Sequence, residues 1–399
     1  MSKFHVTTTG VQPIDQVNVT TQSIQFSKPN RTIGSKSMRE QTKSYFRRRK
    51  KQNVKTSTIF DKWEELNHQY TVSDKEGLEK LRSELWYTTS TSLPELINEV
   101  MTLEPYIQLV ETKQEKSDWV TIRRVISTMN YSKGVGRNLK FYVREKGGNK
   151  ILGLFELSSD FKNVGVRDRH IGWTLKDQNK RLIHTMVGST IVSVQPFGYN
   201  FLGGKLISAL VLSQEIRDIY FQKYGDKLVG ITTTSLYGNE GKKTQYDDIK
   251  GWTRLGETEG KTFIRPKPKL YSYWVKVLKR HDRGYFEEIT RKSRPKQKVI
   301  SWIIKTVGIN PVEAHHGYRR GTYFSSFYYN TRRFLRGETT ELGIELFNSS
   351  AEDMIKKWKK RSIQRIKSLH RKENIKLDPT FYSWVIGSKW SVVKSTVII

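Results

Sequence analysis

Apolar positions along this chain change period several times, and the changes divide it. Between residues 59 and 111 they recur every three or four residues, as in Phe60, Trp63 and Leu66 and again in Leu78, Leu81 and Leu85, which predicts a small helical unit. Inside it, Ser92-Leu93-Pro94-Glu95 predicts a helix start, with Ser92 as cap and Glu95 placed to complete a capping box. Strand-like segments then follow. Strands are expected over residues 138–144, 151–157 and 190–194, the first two joined as a hairpin across Gly147-Gly148.

After the third strand, Gly203-Gly204-Lys205 opens a stretch in which Leu206, Ile207, Leu210, Val211 and Ile216 keep helical spacing, predicting one long helix. A β-branched strand is expected over 228–236, and Gln245 to Trp252 reads as a short helix turning into a further strand. Pro266 and Pro268 suggest a boundary, beyond which the pattern is aromatic, basic and mostly helical. Four regions follow: a basic flexible arm (1–56), a small helical region (57–115), an α/β core (116–265) and a basic, aromatic, mostly helical C-terminal domain (266–399). The fold class expected is α/β, a mixed twisted sheet with flanking helices, plus helical N- and C-terminal regions.

Composition names the partner class. With 399 residues the chain can bury a sizeable core, and a formal net charge of +32 attracts polyanions, nucleic acid first. Absence of cysteine excludes disulfides, thiol nucleophiles and cysteine-ligated metal centres. The first thirty residues lack a signal-peptide pattern, and no run approaches the ~20 apolar residues of a membrane span, so a soluble, cytoplasmic protein without a membrane partner is expected.

The charge is clustered. Lys43 to Lys51 holds six cations and two aromatics in nine residues, and Arg47, Arg48, Arg49, Lys50 and Lys51 are either a phosphate-binding arm or a solvated charge run. Between Lys356 and Lys372, nine of seventeen residues are Lys or Arg while Ile355, Trp358, Ile363, Ile366 and Leu369 share a helical face. That is a basic amphipathic helix, with Lys356, Lys360 and Arg361 offered to phosphates. Arg319 and Arg320 precede Tyr323, Phe324, Phe327, Tyr328 and Tyr329, which is either a single-strand stacking platform or an aromatic core strand. His315-His316 is not a metal pair, because neighbours in a strand point apart and no carboxylate cluster accompanies them. No metal site is expected.

Candidate chemistry gathers in the core. Arg167-Asp168-Arg169-His170 is either a phosphate clamp, with Arg167 and Arg169 held rigid by Asp168 and His170 as a proton relay, or a structural salt-bridge corner. Gly203 and Gly204 allow close backbone approach to a phosphate at a helix start, and they also suit any tight strand-to-helix turn. Tyr246 is either a proton donor or a packing tyrosine.

A resemblance ties these segments together. Asn130-Tyr131-Ser132, the run from Arg167 to Trp173 and Trp252-Thr253-Arg254-Leu255-Gly256-Glu257-Thr258 resemble the DruA-like family, named for a component of Druantia anti-phage systems. The layout also looks like the acyl-CoA N-acyltransferase (GNAT) core of phage Mom DNA-modification proteins. The resemblance covers about a third of the chain, and of the family's Cys-Tyr pair only Tyr246 is present, after Gln245. It implies acetyl-CoA or a related acyl-CoA as cofactor, held by Asn200, Leu202, Gly203, Gly204 and Lys205, with Tyr246, Asp168 and His170 as catalytic groups. Two functions are therefore expected. One is an acyltransferase acting on bases in nucleic acid, DNA ahead of RNA. The other is a non-catalytic DNA- or RNA-binding protein that keeps the fold for recognition.

Overall fold

Residues 138–145 and 151–159 pair as a hairpin, buried almost throughout, in a seven-stranded mixed sheet. The structure, a computed structural model, describes residues 39–40, 42–46, 82–127, 136–235, 238, 241, 243–259, 263, 266, 268–291, 295–315 and 319–377. Arg47 to Lys51, the Asn130-Tyr131-Ser132 segment, His316 and the apolar positions from Phe60 to Leu81 lie outside the described residues. The chain divides into two units, one of Met1–Arg48 with Phe263–Ala314 and the other of Arg49–Thr262 with His315–Ile399.

The larger unit carries the sheet. It begins with α1 (Leu93–Thr102), β1 (Pro105–Leu109), α2 (Lys113–Ile126), β2 (Asn138–Glu145) and β3 (Ile151–Ser159). There follow α3 (Gly165–Ile171), α4 (Leu175–Arg181), β4 (Thr185–Ser193), α5 (Phe197–Asn200), α6 (Gly203–Leu210), α7 (Gln214–Tyr224), β5 (Gly230–Ser235) and β6 (Thr253–Glu257). The smaller unit supplies α8 (Pro268–His281), α9 (Arg283–Arg291), α10 (Pro295–Val307) and α11 (Pro311–Ala314). The chain then returns to the larger unit with β7 (Gly321–Ser326), α12 (Thr331–Leu335) and α13 (Ala351–Arg371).

In the smaller unit, Ile300, Ile303 and Ile304 of α10 are buried with Trp274 of α8. Phe46 stacks on Trp274 with ring centroids 5.9 Å apart, and the indole donates to Thr42 Oγ1 at 3.1 Å.

Strand order is β1-β2-β3-β4-β5-β7-β6. All neighbours are antiparallel except β4 and β5. Pairing of Phe141 with Phe155 and Leu139 with Leu157 puts these side chains on one face, where Phe141 and Phe155 stack at 4.6 Å. Ile207 of α6 packs over Gly153, so tightly that a Cβ there would lie 2.7 Å from its Cδ1. Each such large side chain contributes about 1.5–3 kcal/mol by leaving water. The opposite face holds Lys140 beside Glu156, 2.5 Å apart, with the ammonium over the ring of Trp119 from α2. Asn138 Nδ2 and Ser189 Oγ also donate to the Glu156 carboxylate, so this buried charge is fully bonded and tolerated.

The parallel pair is short. β4 and β5 match only from Thr185 with Gly230 to Gly188 with Thr233. Beyond that, β4 continues on β3 alone while Thr234 and Ser235 of β5 pair with β7, so the two strands part.

Several elements differ from the sequence expectation. Residues 105–109 form β1, an edge strand inside the stretch expected to be helical. Ser92 caps α1 without a side-chain bond, and the Glu95 carboxylate accepts from Ser90 Oγ, so the capping box does not form. The long helix is two: Ser213 takes extended dihedrals as the cap of α7 and ends α6. Residues 245–252 form turns, not a helix, since Asp248 and Gly251 sit at φ 62° and 110° in the left-handed region. β7 falls in the region expected to be mostly helical and completes the sheet.

Candidate nucleic-acid interface

The Arg167 corner is built where β3 hands over to α3. Arg167 is fully buried, with Nη1 2.6 Å from Asp160, Nη2 2.6 Å from Asp168 and a further bond to Phe161 O at 2.7 Å. Its guanidinium lies over the Trp173 ring at 5.1 Å. Burial pushes the Asp160 carboxyl above its ordinary value, against the pull of Arg167, the Phe161 amide and the Thr232 hydroxyl. Asp168 is spent on Arg167, and only Arg169 points to solvent. The corner ties the sheet to α3, with no surface of Arg167 left for a phosphate.

At the parting of β4 and β5, the side chains of the 244–248 turn fill the space. Gln245 Nε2 donates to Ile191 O at 2.9 Å, and a Cβ on Gly204 would meet Gln245 Oε1 at 2.7 Å. Gly203 is pressed on the ring of Phe197, Leu202 adopts φ 54° to start α6, and no side chain caps that helix. Asn200 is buried and exchanges two bonds with the Lys376 backbone, at 2.6 and 3.0 Å. Lys205 Nζ donates to Asp247 O at 2.6 Å. Burial, and then the Arg361 charge, hold Lys205 below its usual range, so these two cations stand close. Tyr246 is buried between Trp252 and Tyr323, at ring distances of 5.3 and 5.1 Å. Burial pushes its phenol up, keeping it protonated at neutral pH. Tyr246 packs on Trp252 and Tyr323, Asp168 pairs with Arg167 and His170 meets the Phe324 ring, with no hydrogen bond among the three.

Charge collects on α13. Ser350 caps it, accepting from the Asp353 amide, and Met354, Trp358, Ser362, Ile366 and Leu369 are buried along one side. Trp358 donates to Phe201 O at 2.8 Å, fixing the helix over the start of α6. The other side is exposed at Lys356, Lys360, Lys367 and Arg371. At 3.6 residues per turn, these four lie within about 60° of one another around the helix axis. Lys357 is paired with Asp353, Lys359 donates to Met101 O, and Arg361 is half-buried toward Lys205. Arg319 is exposed, whereas Arg320 is half-buried and its guanidinium pKa is lowered by desolvation.

Two concavities open elsewhere on this unit. One of about 520 Å³ is walled by Trp86, Tyr87, Glu99, Glu104 and Glu145, and burial raises the Glu99 carboxyl pKa. The other, of about 330 Å³, contains His170, Lys250, Tyr328, Tyr329 and Arg332. Burial and the Arg332 charge hold the His170 imidazole below its usual range, so it is neutral at pH 7. Sequence reasoning missed Lys250 and Arg332; the Arg332-Arg333 pair just after the aromatic run was the available signal. Among the described residues, no group of three or more His, Asp or Glu is arranged to hold a metal, and no helix is long and apolar enough to cross a membrane.

Fold and surface together define a basic, mixed α/β protein whose cations are carried on docked elements. The chain belongs to the DruA family, matching "Druantia protein DruA" over residues 53–337. It is 24% identical over 275 residues to Druantia protein DruA of Escherichia coli (strain UMEA 4076-1), covering 64% of this chain and 68% of that protein. No solved structure matches.

Proposed function

We propose that this chain is a nucleic-acid-binding component of an anti-phage defence system, and that its mixed sheet serves as the scaffold for recognition. The observation that carries the reading is the α13 stripe. Lys356, Lys360, Lys367 and Arg371 are exposed in one line on a helix whose opposite side is buried, so the cations cannot turn away from a bound polymer. Phosphate contacts of this kind supply sequence-independent affinity and release counterions. Membership of the DruA family supplies the defence context.

The test is the salt dependence of duplex DNA binding. Replacing Lys356, Lys360 and Lys367 together by Gln should make the slope of log K against log salt shallower by roughly 0.9 for each phosphate no longer neutralised. The thermal transition should stay where it is. An unchanged slope sinks the assignment of this helix.

A second reading, acyl transfer from a CoA-type donor, has one observation in its favour. Two glycines start an uncapped helix beside Lys205 and Arg361 where parallel strands separate. It requires Gln245 to leave Ile191 O, since that side chain occupies the donor's place.

A further inference from the structure

We infer that the His170 concavity is a nucleotide subsite, taking a base that stacks on Tyr329 and a phosphomonoester held by Lys250 and Arg332. The inference rests on the nucleic-acid reading above for its polymer-borne form, and it names a second place on the chain, apart from α13.

The lining selects the ligand. Among the described residues no carboxylate lines it, whereas Lys250 and Arg332 both do, and neither has an ion pair. Two unneutralised cations facing one small space favour an anion. Arg332 presents a planar fork suited to phosphate oxygens, and Lys250 adds a point charge. The other concavity, with Glu99, Glu104 and Glu145, has the opposite sign and would repel the same group.

Aromatic surface supplies the other half. Tyr329 is 73% exposed, and its backbone amide is bonded to Ile344 O, so the ring stands out from a fixed main chain. Tyr328 is steadied by Arg217, whose Nη1 donates to the phenol at 3.1 Å. A base has a π-face whatever its identity, so stacking here tolerates any sequence. His170 and Ser326 add hydrogen-bonding groups at the wall. The volume of about 330 Å³ lies at the small end of ligand pockets, enough for one nucleotide and too little for a duplex.

The nucleotide could be free or at the end of a strand, and the experiment separates the two. Fluorescence anisotropy would compare short single-stranded DNA bearing a phosphate at the 5′ end, at the 3′ end or at neither, with AMP and inorganic phosphate as competitors. A phosphate at one end should tighten binding about tenfold, as one charge-assisted contact does. Arg332→Ala and Lys250→Ala should each remove that preference, while Lys360→Gln should weaken all three strands alike. Competition by AMP that is lost in Tyr329→Ala, without any end preference, would assign the site to a free nucleotide and sustain the inference. DNA binding with no end preference and no AMP competition overturns the subsite and leaves the α13 reading intact. Binding of AMP without DNA overturns the α13 reading instead.

Discussion

The glycine–tyrosine corner and the His170 concavity use similar residue types to opposite ends. At the corner, Gln245 bonds Ile191 O, Lys205 bonds Asp247 O, Asn200 holds the Lys376 backbone and Tyr246 is packed between two rings. The bonding capacity of these side chains is used within the chain. Around the concavity, Lys250 and Arg332 have no ion pair among the described residues and Tyr329 is largely exposed. Burying polar groups is tolerated when they bond one another, which stabilises a fold, whereas exposed and unpaired groups leave interaction energy for a ligand. A motif locates residue types, and unspent bonding capacity locates a candidate site.

The strongest way to break this comparison is at Arg167, a fully buried cation paired with Asp160 and Asp168. Arg167→Ala would leave Asp160 buried beside Thr232 without its counter-charge. Loss of one partner of a buried pair costs about 3–5 kcal/mol, read as a lower urea midpoint. Should the midpoint stay put while DNA binding disappears, Arg167 is a clamp and the comparison fails.

How far the sequence reached follows the range of the forces involved. β2 and β3 were legible because their apolar, β-prone runs are local and Gly147-Gly148 marks the turn. β1 was not, since five residues starting at Pro105 carry too little period to stand out among helices. The aromatic run after Arg320 was left open between core strand and platform; Tyr323, Phe324 and Phe327 are buried as a core strand requires, and Tyr329 is exposed. The break at Ser213 and the left-handed residues of the 245–252 turn reflect tertiary demand overriding helical spacing. The DruA resemblance was legible from the Arg167–Trp173 run and the Trp252–Thr258 run, and the family match bears it out. The concavity draws its members from segments as far apart as His170 and Arg332, brought together by the packing of α3 and α12 against each other and of α3 on the sheet, so no single stretch announces it.

Where the two regions meet, Gly251 offers an intermediate effect. It has φ 110°, and a Cβ there would lie 2.8 Å from Leu212 and 2.9 Å from Phe347. Phe347 also walls the concavity. Gly251→Ala should therefore destabilise by about 1–3 kcal/mol through backbone strain, visible as a lower thermal midpoint. A neutral outcome would mean that the turn is free to rearrange and that the concavity is not held by it.

The smallest effect is expected at Tyr246, and it bears most directly on acyl transfer. The phenol lies near Thr233, whose Oγ1 donates to Gly188 O at 2.9 Å. In Tyr246→Phe, Thr233 keeps that bond and the ring keeps its packing on Trp252 and Tyr323, so about 1 kcal/mol should be lost in urea unfolding. DNA affinity should not change if the corner is scaffold. Calorimetric titration of the wild-type chain with acetyl-CoA supplies the decisive contrast, because a donor must displace Gln245 before its phosphates can reach the amides of Gly203 and Gly204. Binding heat that Gly204→Val abolishes, together with turnover that Tyr246→Phe slows at unchanged affinity, would move the site from the concavity side to this corner. Absence of heat with the wild type, and no gain from the opening made by Gln245→Ala, would leave the corner as the joint that keeps β4, β5 and α6 in place.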